Sequence, residues 1–318
     1  MNVGLIDVDG HNFPNIPLMK LSAWHKSKGD HVEFYEPLFS GHMDRVYMSK
    51  VFSFTHDYEW SIDADEIVRG GTGYSIRLVN GQEVYDKTMD ETLLDEIEHI
   101  YPDYSLYPKL TKDTAYGFLT RGCPRGCGFC HVAAKEGRCS VKVADLNEWW
   151  RGQKNIMLCD PNILACRDHM ELLKQLAESN ATVEINQGID IRLVNDENLD
   201  MLKRIRLSSI HMAFDRWQDR DIIEPRLRRF KEKTEFDRGK GRVTVYILVN
   251  FDTTLEQDLY RIQLCRELNF CPFPMIYDKA HADPIYKKLQ RWCSNYVFWC
   301  VPTFEEYLKK TTGGAQGC

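Results

Sequence analysis

The chain has 318 residues, 43% of them hydrophobic and 28% charged, with a formal net charge of −6. That is enough for one large domain, or a large domain with a smaller partner. The acidic balance argues against a sequence-independent grip on nucleic acid, which needs an excess of Lys and Arg. No apolar run approaches the roughly 20 residues of a membrane span. The opening MNVGLIDVDG lacks the basic segment of a secretory signal. The expectation is a cytoplasmic protein whose eleven cysteines sit in a reducing compartment, without a disulfide framework.

The first hundred residues read as a small doubly wound α/β domain. VGLIDV is a strand ending in the loop DGHNFPNIP, PLMKLSAWHKSKG is a helix closed by Gly29, and HVEFY is a second strand. RVYMSKVFSF and EIVRGGTG supply a third and a fourth. Residues 101–113 have prolines and tyrosines but no periodicity, and read as a linker. From 114 to about 300, strand and helix patterns alternate: YGFLT, NIMLC, TVEIN, SSIHMAF, VTVYILVN and CPFPMIY are strands. Helices are expected at about 144–151 and at RDHMELLKQLAES, around Leu199 and Leu202, at RWQDRDIIEPRLRRFKEK, from Leu255 and from Ile285. Six βα repeats predict a parallel sheet with helices outside, curling towards an incomplete barrel. Residues 301–318 form an extension and a polar tail.

The chemistry sits in YGFLTRGCPRGCGFCH, where Cys123, Cys127 and Cys130 crowd into eight residues of a glycine-rich loop after the first of those strands. A zinc site commonly takes two ligand pairs, and no second pair follows. The alternative is an iron–sulfur cubane, normally held by four thiolates, here with one iron left open. Cys139, Cys159, Cys166, Cys265, Cys271, Cys293 and Cys300 read as small buried hydrophobes, and Cys318 as an exposed thiol. RLRRFKEKTEFDRGKGR interleaves both charges without an aromatic platform, so it reads as a solvated helix and no stable nucleic acid partner is expected.

C-x-x-x-C-x-Phe-C after the first of a run of βα units resembles the signature of the radical S-adenosylmethionine (radical SAM) superfamily, over about residues 116–298. The resemblance implies a partial (β/α)6 barrel, a [4Fe–4S] cluster on the three cysteines, and S-adenosylmethionine chelated at the open iron. It also implies an electron donor such as flavodoxin or ferredoxin. The cofactor contacts it suggests are Phe129 in the motif, Asp160 and Asn162 after the second strand, where the methionyl ammonium is received, and Asn186 and Gln187 after the third. Asp215 follows the fourth strand and Tyr277 the sixth, near the adenine. Asp190 and Arg192 are candidates for the ribose or the substrate.

The N-terminal unit resembles the cobalamin-binding domain found ahead of many such barrels, with Gly70–Gly71 in the place of its late glycine-rich loop. DGHNF begins like a cobalt-ligating Asp-x-His, but no glycine follows at the expected spacing. The expectation is a reduced domain without cobalamin, whose first loop (Asp7, Asp9, His11 and Asn12) caps the barrel mouth against a small-molecule substrate. In size and layout the chain most resembles the clostridial queuine lyases, which act on a 7-deazaguanine base for salvage. The alternatives are a cobalamin-dependent radical SAM methyltransferase and a non-catalytic interaction protein stabilised by metal.

Overall fold

The structure is a computed structural model that describes residues 1–10, 12–79, 82–90, 93–294 and 296–312. It divides into two compact units, Met1–Ala181 and Thr182–Cys318.

The first unit opens with β1 (Asn2–Asp7), β2 (His31–Phe34), β3 (Met43–Ser49) and β4 (Ala64–Gly70), an all-parallel sheet in the order β2-β1-β3-β4. The helix Ile16–Ser27 connects β1 to β2 and is N-capped by Asn15, whose side chain accepts from the Leu18 amide. Leu18 and Leu21 on that helix pack with Val3 and Leu5 of β1, all buried. The doubly wound expectation holds for the sheet order but not for the crossovers. Residues 35–42 and 50–63 contain no helix; the first stretch is broken by Pro37 and Gly41. An antiparallel ribbon follows, β5 (Ile76–Val79) with β6 (Gln82–Tyr85).

Next come β7 (Thr114–Gly117), β8 (Thr120–Arg121), β9 (Val141–Lys142) and β10 (Asn155–Leu158). The strand expected at YGFLT is therefore broken in two. Asp160 captures the amides of Leu119 and Thr120, and β8 leaves to pair antiparallel with β9. The helix expected at 144–151 is a single 3-10 turn, Leu146–Glu148. Asp145 caps that turn and Gly152, at φ +94°, ends the segment, leaving no room for a second turn.

The second unit carries β11 (Thr182–Ile189), β12 (Arg206–Ala213), β13 (Val243–Val249) and β14 (Cys271–Ile276). The chain is α/β: in the first unit β10 pairs parallel with β7, and in the second β14-β13-β12-β11 form a parallel sheet in sequential order. Strictly sequential order is what successive same-handed crossovers produce. The helices Asp196–Arg204, Arg220–Lys233, Leu255–Glu267 and Pro284–Cys293 separate the strands of the second unit or follow them.

Val243, Val245 and Ile247 on β13, with Ile210 and Met212 on β12, are buried together with Leu227, Phe230, Ile262 and Leu289 of the helices. Each such side chain contributes on the order of 1.5–3 kcal/mol by leaving water. The intervening strand residues, His211, Thr244 and Tyr246, are only half-buried. Among the described residues no helix is long and apolar enough to cross a membrane. Cys159, Cys166, Cys265 and Cys293 are buried as expected. Cys271 is half-buried, and Cys139, in a connecting segment, and Cys300, at the end of the short helix Val297–Cys300, are exposed.

Candidate functional site

The cysteine loop is an excursion of residues 122–140, pinched at its neck by the two-residue ribbon that pairs Thr120 with Lys142 and Arg121 with Val141. Arg121 fixes the neck from one side by an ion pair to Glu136 at 2.8 Å, while its guanidinium lies 3.4 Å over the Phe118 ring. The other Glu136 oxygen accepts from the Gly122 amide at 3.0 Å. Gly122 has φ +88°, and a Cβ there would sit 2.1 Å from the Cys139 carbonyl oxygen, so the first position after the neck must be glycine. Inside the loop the Cys123 amide donates to the Gly137 carbonyl at 3.1 Å, and the Cys130 amide to the Cys127 carbonyl at 3.0 Å. Cys123, Cys127 and Phe129 are half-buried, and Cys130 is exposed.

Among the described residues, no three His, Cys, Asp or Glu side chains are placed together as a metal-holding group. The donor chemistry of the loop nevertheless fits a thiolate-bound cluster, since three sulfurs lie within eight residues on a backbone with turns at two glycines of positive φ. A second observation fits as well. Asn162, 3% exposed, donates from its side-chain amide to the Cys123 sulfur at 3.5 Å, and its Oδ1 is buried with no partner.

Asp160 is fully buried. One carboxylate oxygen accepts from the Leu119 amide at 2.7 Å, the other from the Thr120 amide at 2.8 Å and the Thr120 hydroxyl at 2.7 Å. Burial pushes its carboxyl up to about 7, opposed by these hydrogen bonds. Asp160, expected to receive an ammonium group, is turned towards the chain in this structure. Its acceptors serve the chain, tying the break between β7 and β8 to the end of β10.

The first loop is also committed internally. Asp7 accepts from the Tyr107 hydroxyl at 2.7 Å, and Asp9 accepts from the Val51 and Phe52 amides and the Thr55 hydroxyl. Asn12 is exposed; His11 lies outside the described residues. Beside this loop a cleft of about 610 Å³ opens at the ends of β1 and β2, lined by Asp7, Val8, Phe34, His56, Tyr58 and Trp60 among others.

In the second unit, the register of β11 against β12 shifts between Ile185 and Ile189, a β-bulge containing Asn186, Gln187 and Gly188. Bulges of this kind re-aim side chains, and here Gln187 is exposed while Asn186 is half-buried. Asp190 accepts from the Arg192 amide at 3.1 Å and its Nε at 2.7 Å, and Arg192 reaches Asp219 at 3.0 Å. Asp215 accepts from the Leu248 amide at 3.0 Å. Burial pushes its carboxyl up to about 6, opposed by that hydrogen bond and by the charges of Arg261 and Arg192. Tyr277, 37% exposed, stands edge-on to Phe251 with ring centroids 4.8 Å apart.

Two groups escaped the sequence reading. Arg261 and Asp258 form a fully buried ion pair in the helix Leu255–Glu267. Arg261 also donates to the carbonyls of Phe214, Asp215 and Leu248. The second is the half-buried row of His211 and Tyr246. Its signal was the period-two alternation of β12 and β13, whose polar positions fall on one face. The chain matches no family model and no curated protein.

Proposed function

We propose that the chain is a radical SAM enzyme whose [4Fe–4S] cluster is held by Cys123, Cys127 and Cys130. The observation that carries the reading is the cysteine triplet itself, on a pinched loop after β7, which pairs parallel with β10, ahead of the parallel strands β11 to β14 in sequential order. That order is also what a partial (β/α)6 barrel requires, with ligands at the carboxyl ends of its strands. With the cluster and S-adenosylmethionine bound, the chemistry supplied is one-electron cleavage of the sulfonium and abstraction of a substrate hydrogen by the 5′-deoxyadenosyl radical. Flavodoxin or ferredoxin is the class of electron donor this requires.

The chain's own residues do the holding. The Arg121–Glu136 pair and Gly122 fix the neck of the loop, and the Asn162 amide donates to the Cys123 sulfur, a contact that tunes a thiolate ligand. Asp160 holds the preceding backbone in place. Asn186 and Gln187 in the β11 bulge are polar groups near that strand's carboxyl end, and the Asp190–Arg192 pair follows it. The substrate reading is a small molecule, with a lyase reaction on the 7-deazaguanine base queuine, in the cytoplasm.

The test is anaerobic reconstitution with iron and sulfide, followed by metal analysis, electron paramagnetic resonance and measurement of 5′-deoxyadenosine. About four irons per chain and 5′-deoxyadenosine formation are expected. Cys123→Ala, Cys127→Ala and Cys130→Ala should each lose both, and Cys139→Ala neither. A single zinc with no cleavage of S-adenosylmethionine would overturn the reading in favour of a metal-stabilised interaction protein. Bound cobalamin would point to a methyltransferase.

A further inference from the structure

On β12, Ile210 and Met212 are buried, at 0% and 1% exposure, and His211 between them faces the other side of the sheet. Tyr246 on β13 and Phe273 on β14 are paired in register and share that side, with ring centroids 5.6 Å apart; Phe273 is 44% exposed. Glu184 on β11 is paired with Ser209, two residues before His211 on β12. One face of four adjacent strands thus carries a carboxylate, an imidazole, a phenol and an open aromatic ring.

The β11 bulge sets the imidazole. Gly188 has φ +91°, and a Cβ there would lie 2.8 Å from the His211 carbonyl oxygen, so the bulge brings the two backbones closer than any other residue permits. It delivers the Asn186 carbonyl to 2.7 Å from His211 Nδ1. A carbonyl only accepts, so Nδ1 carries the hydrogen and the neutral ring keeps its lone pair on Nε2. The Tyr246 hydroxyl, 2.9 Å from Nδ1 and 3.3 Å from the same carbonyl, donates to the carbonyl. Among the described residues neither Nε2 nor the Glu184 carboxylate has a hydrogen-bond partner. Burial, together with the nearby Glu184 charge, holds the Tyr246 hydroxyl above its ordinary value, and Nε2 and the Glu184 carboxylate are acceptors beside an aromatic ring.

We propose that Glu184, His211, Tyr246 and Phe273 bind a planar heterocycle bearing N–H donors, stacked on Phe273 and hydrogen-bonded to His211 Nε2 and the Glu184 carboxylate. This deepens the proposed function by assigning the residues that hold the substrate's ring, and rests on that function for the reaction alone.

The test uses the full chain after anaerobic reconstitution and calorimetric titration with hypoxanthine, which has N–H donors, and with caffeine, a ring system of similar size that has none. Hypoxanthine should bind and caffeine should not. Glu184→Gln, His211→Phe and Phe273→Ala should each weaken hypoxanthine at least about tenfold, the scale of one lost hydrogen bond to a charged group or one lost stacking face. Tyr246→Phe keeps the packing and should preserve a folded protein, with a smaller loss. In the ¹⁵N spectrum of the histidines, the His211 Nε2 signal should move on adding hypoxanthine. No saturable binding, or equal binding by folded Glu184→Gln and His211→Phe variants, overturns the proposal. Iron content and 5′-deoxyadenosine measured on the same samples separate the two readings. Failed binding with intact cleavage sinks this proposal alone, whereas binding without a cluster upholds it and sinks the reaction.

Discussion

The Asn162 side-chain amide donates to the sulfur of Cys123 across 3.5 Å, linking the turn after β10 to the first cysteine of the loop. A donor aimed at a thiolate stabilises negative charge on it, and more so when a cluster is reduced. Asn162→Leu should therefore retain iron but shift the reduction potential of the reconstituted protein downward, as read by a redox titration followed by electron paramagnetic resonance. The same substitution removes the unpartnered Oδ1, so the fold should survive. An unchanged potential would mean that Cys123 carries no cluster charge.

Asp160 accepts three hydrogen bonds from Leu119 and Thr120 while fully buried. In Asp160→Asn one oxygen survives for the Leu119 amide and the Thr120 hydroxyl can turn to accept, but the Thr120 amide faces a donor. The expected cost is about 1–3 kcal/mol, the price of one buried unsatisfied amide, measured by urea unfolding. A variant as stable as the native chain would show that the carboxylate is free for a ligand after all.

Asp215 titrates at about 6 in the folded chain, against roughly 3.9 unfolded. Between those values the native state binds more protons than the unfolded state, so this group lowers stability as pH rises from about 4 to about 6. Above that window its effect is constant. Asp215→Asn keeps an oxygen for the Leu248 amide and imitates the protonated form, so its stability should fall less over the same range. Unfolding curves at pH 4.5 and pH 7 for both proteins measure the difference; parallel changes would contradict the raised value.

Arg261 is paired with Asp258 and holds three backbone carbonyls at the ends of β12 and β13. Arg261→Met strands a buried carboxylate and should cost about 3–5 kcal/mol. Adding Asp258→Leu should restore part of that loss, because the uncompensated charge is then gone. Chemical denaturation of the single and double variants gives the comparison, and a double variant no better than the single would place the loss in the carbonyls alone.

Local pattern was enough to find β7 and β10 to β14, since their apolar positions repeat over four or more residues and burial enforces the period. It was also enough to single out Cys123, Cys127 and Cys130, because their spacing is a property of the chain itself. It failed where long-range partners intervene. The break in YGFLT comes from Asp160, some 40 positions away, and no local signal announces that a distant carboxylate will claim two amides. The expected helix at 144–151 failed for want of length between Asp145 and Gly152. Asp7, Asp9 and Asp160 look alike in sequence to carboxylates offered to a ligand. Only the fold shows that their oxygens are occupied by Tyr107, by residues 51–55 and by residues 119–120. The converse holds for Glu184, His211, Tyr246 and Phe273, which lie on four different strands. Their types were legible, but their gathering on one face depends on the parallel register and on the bulge at Gly188, both set by pairing between distant segments.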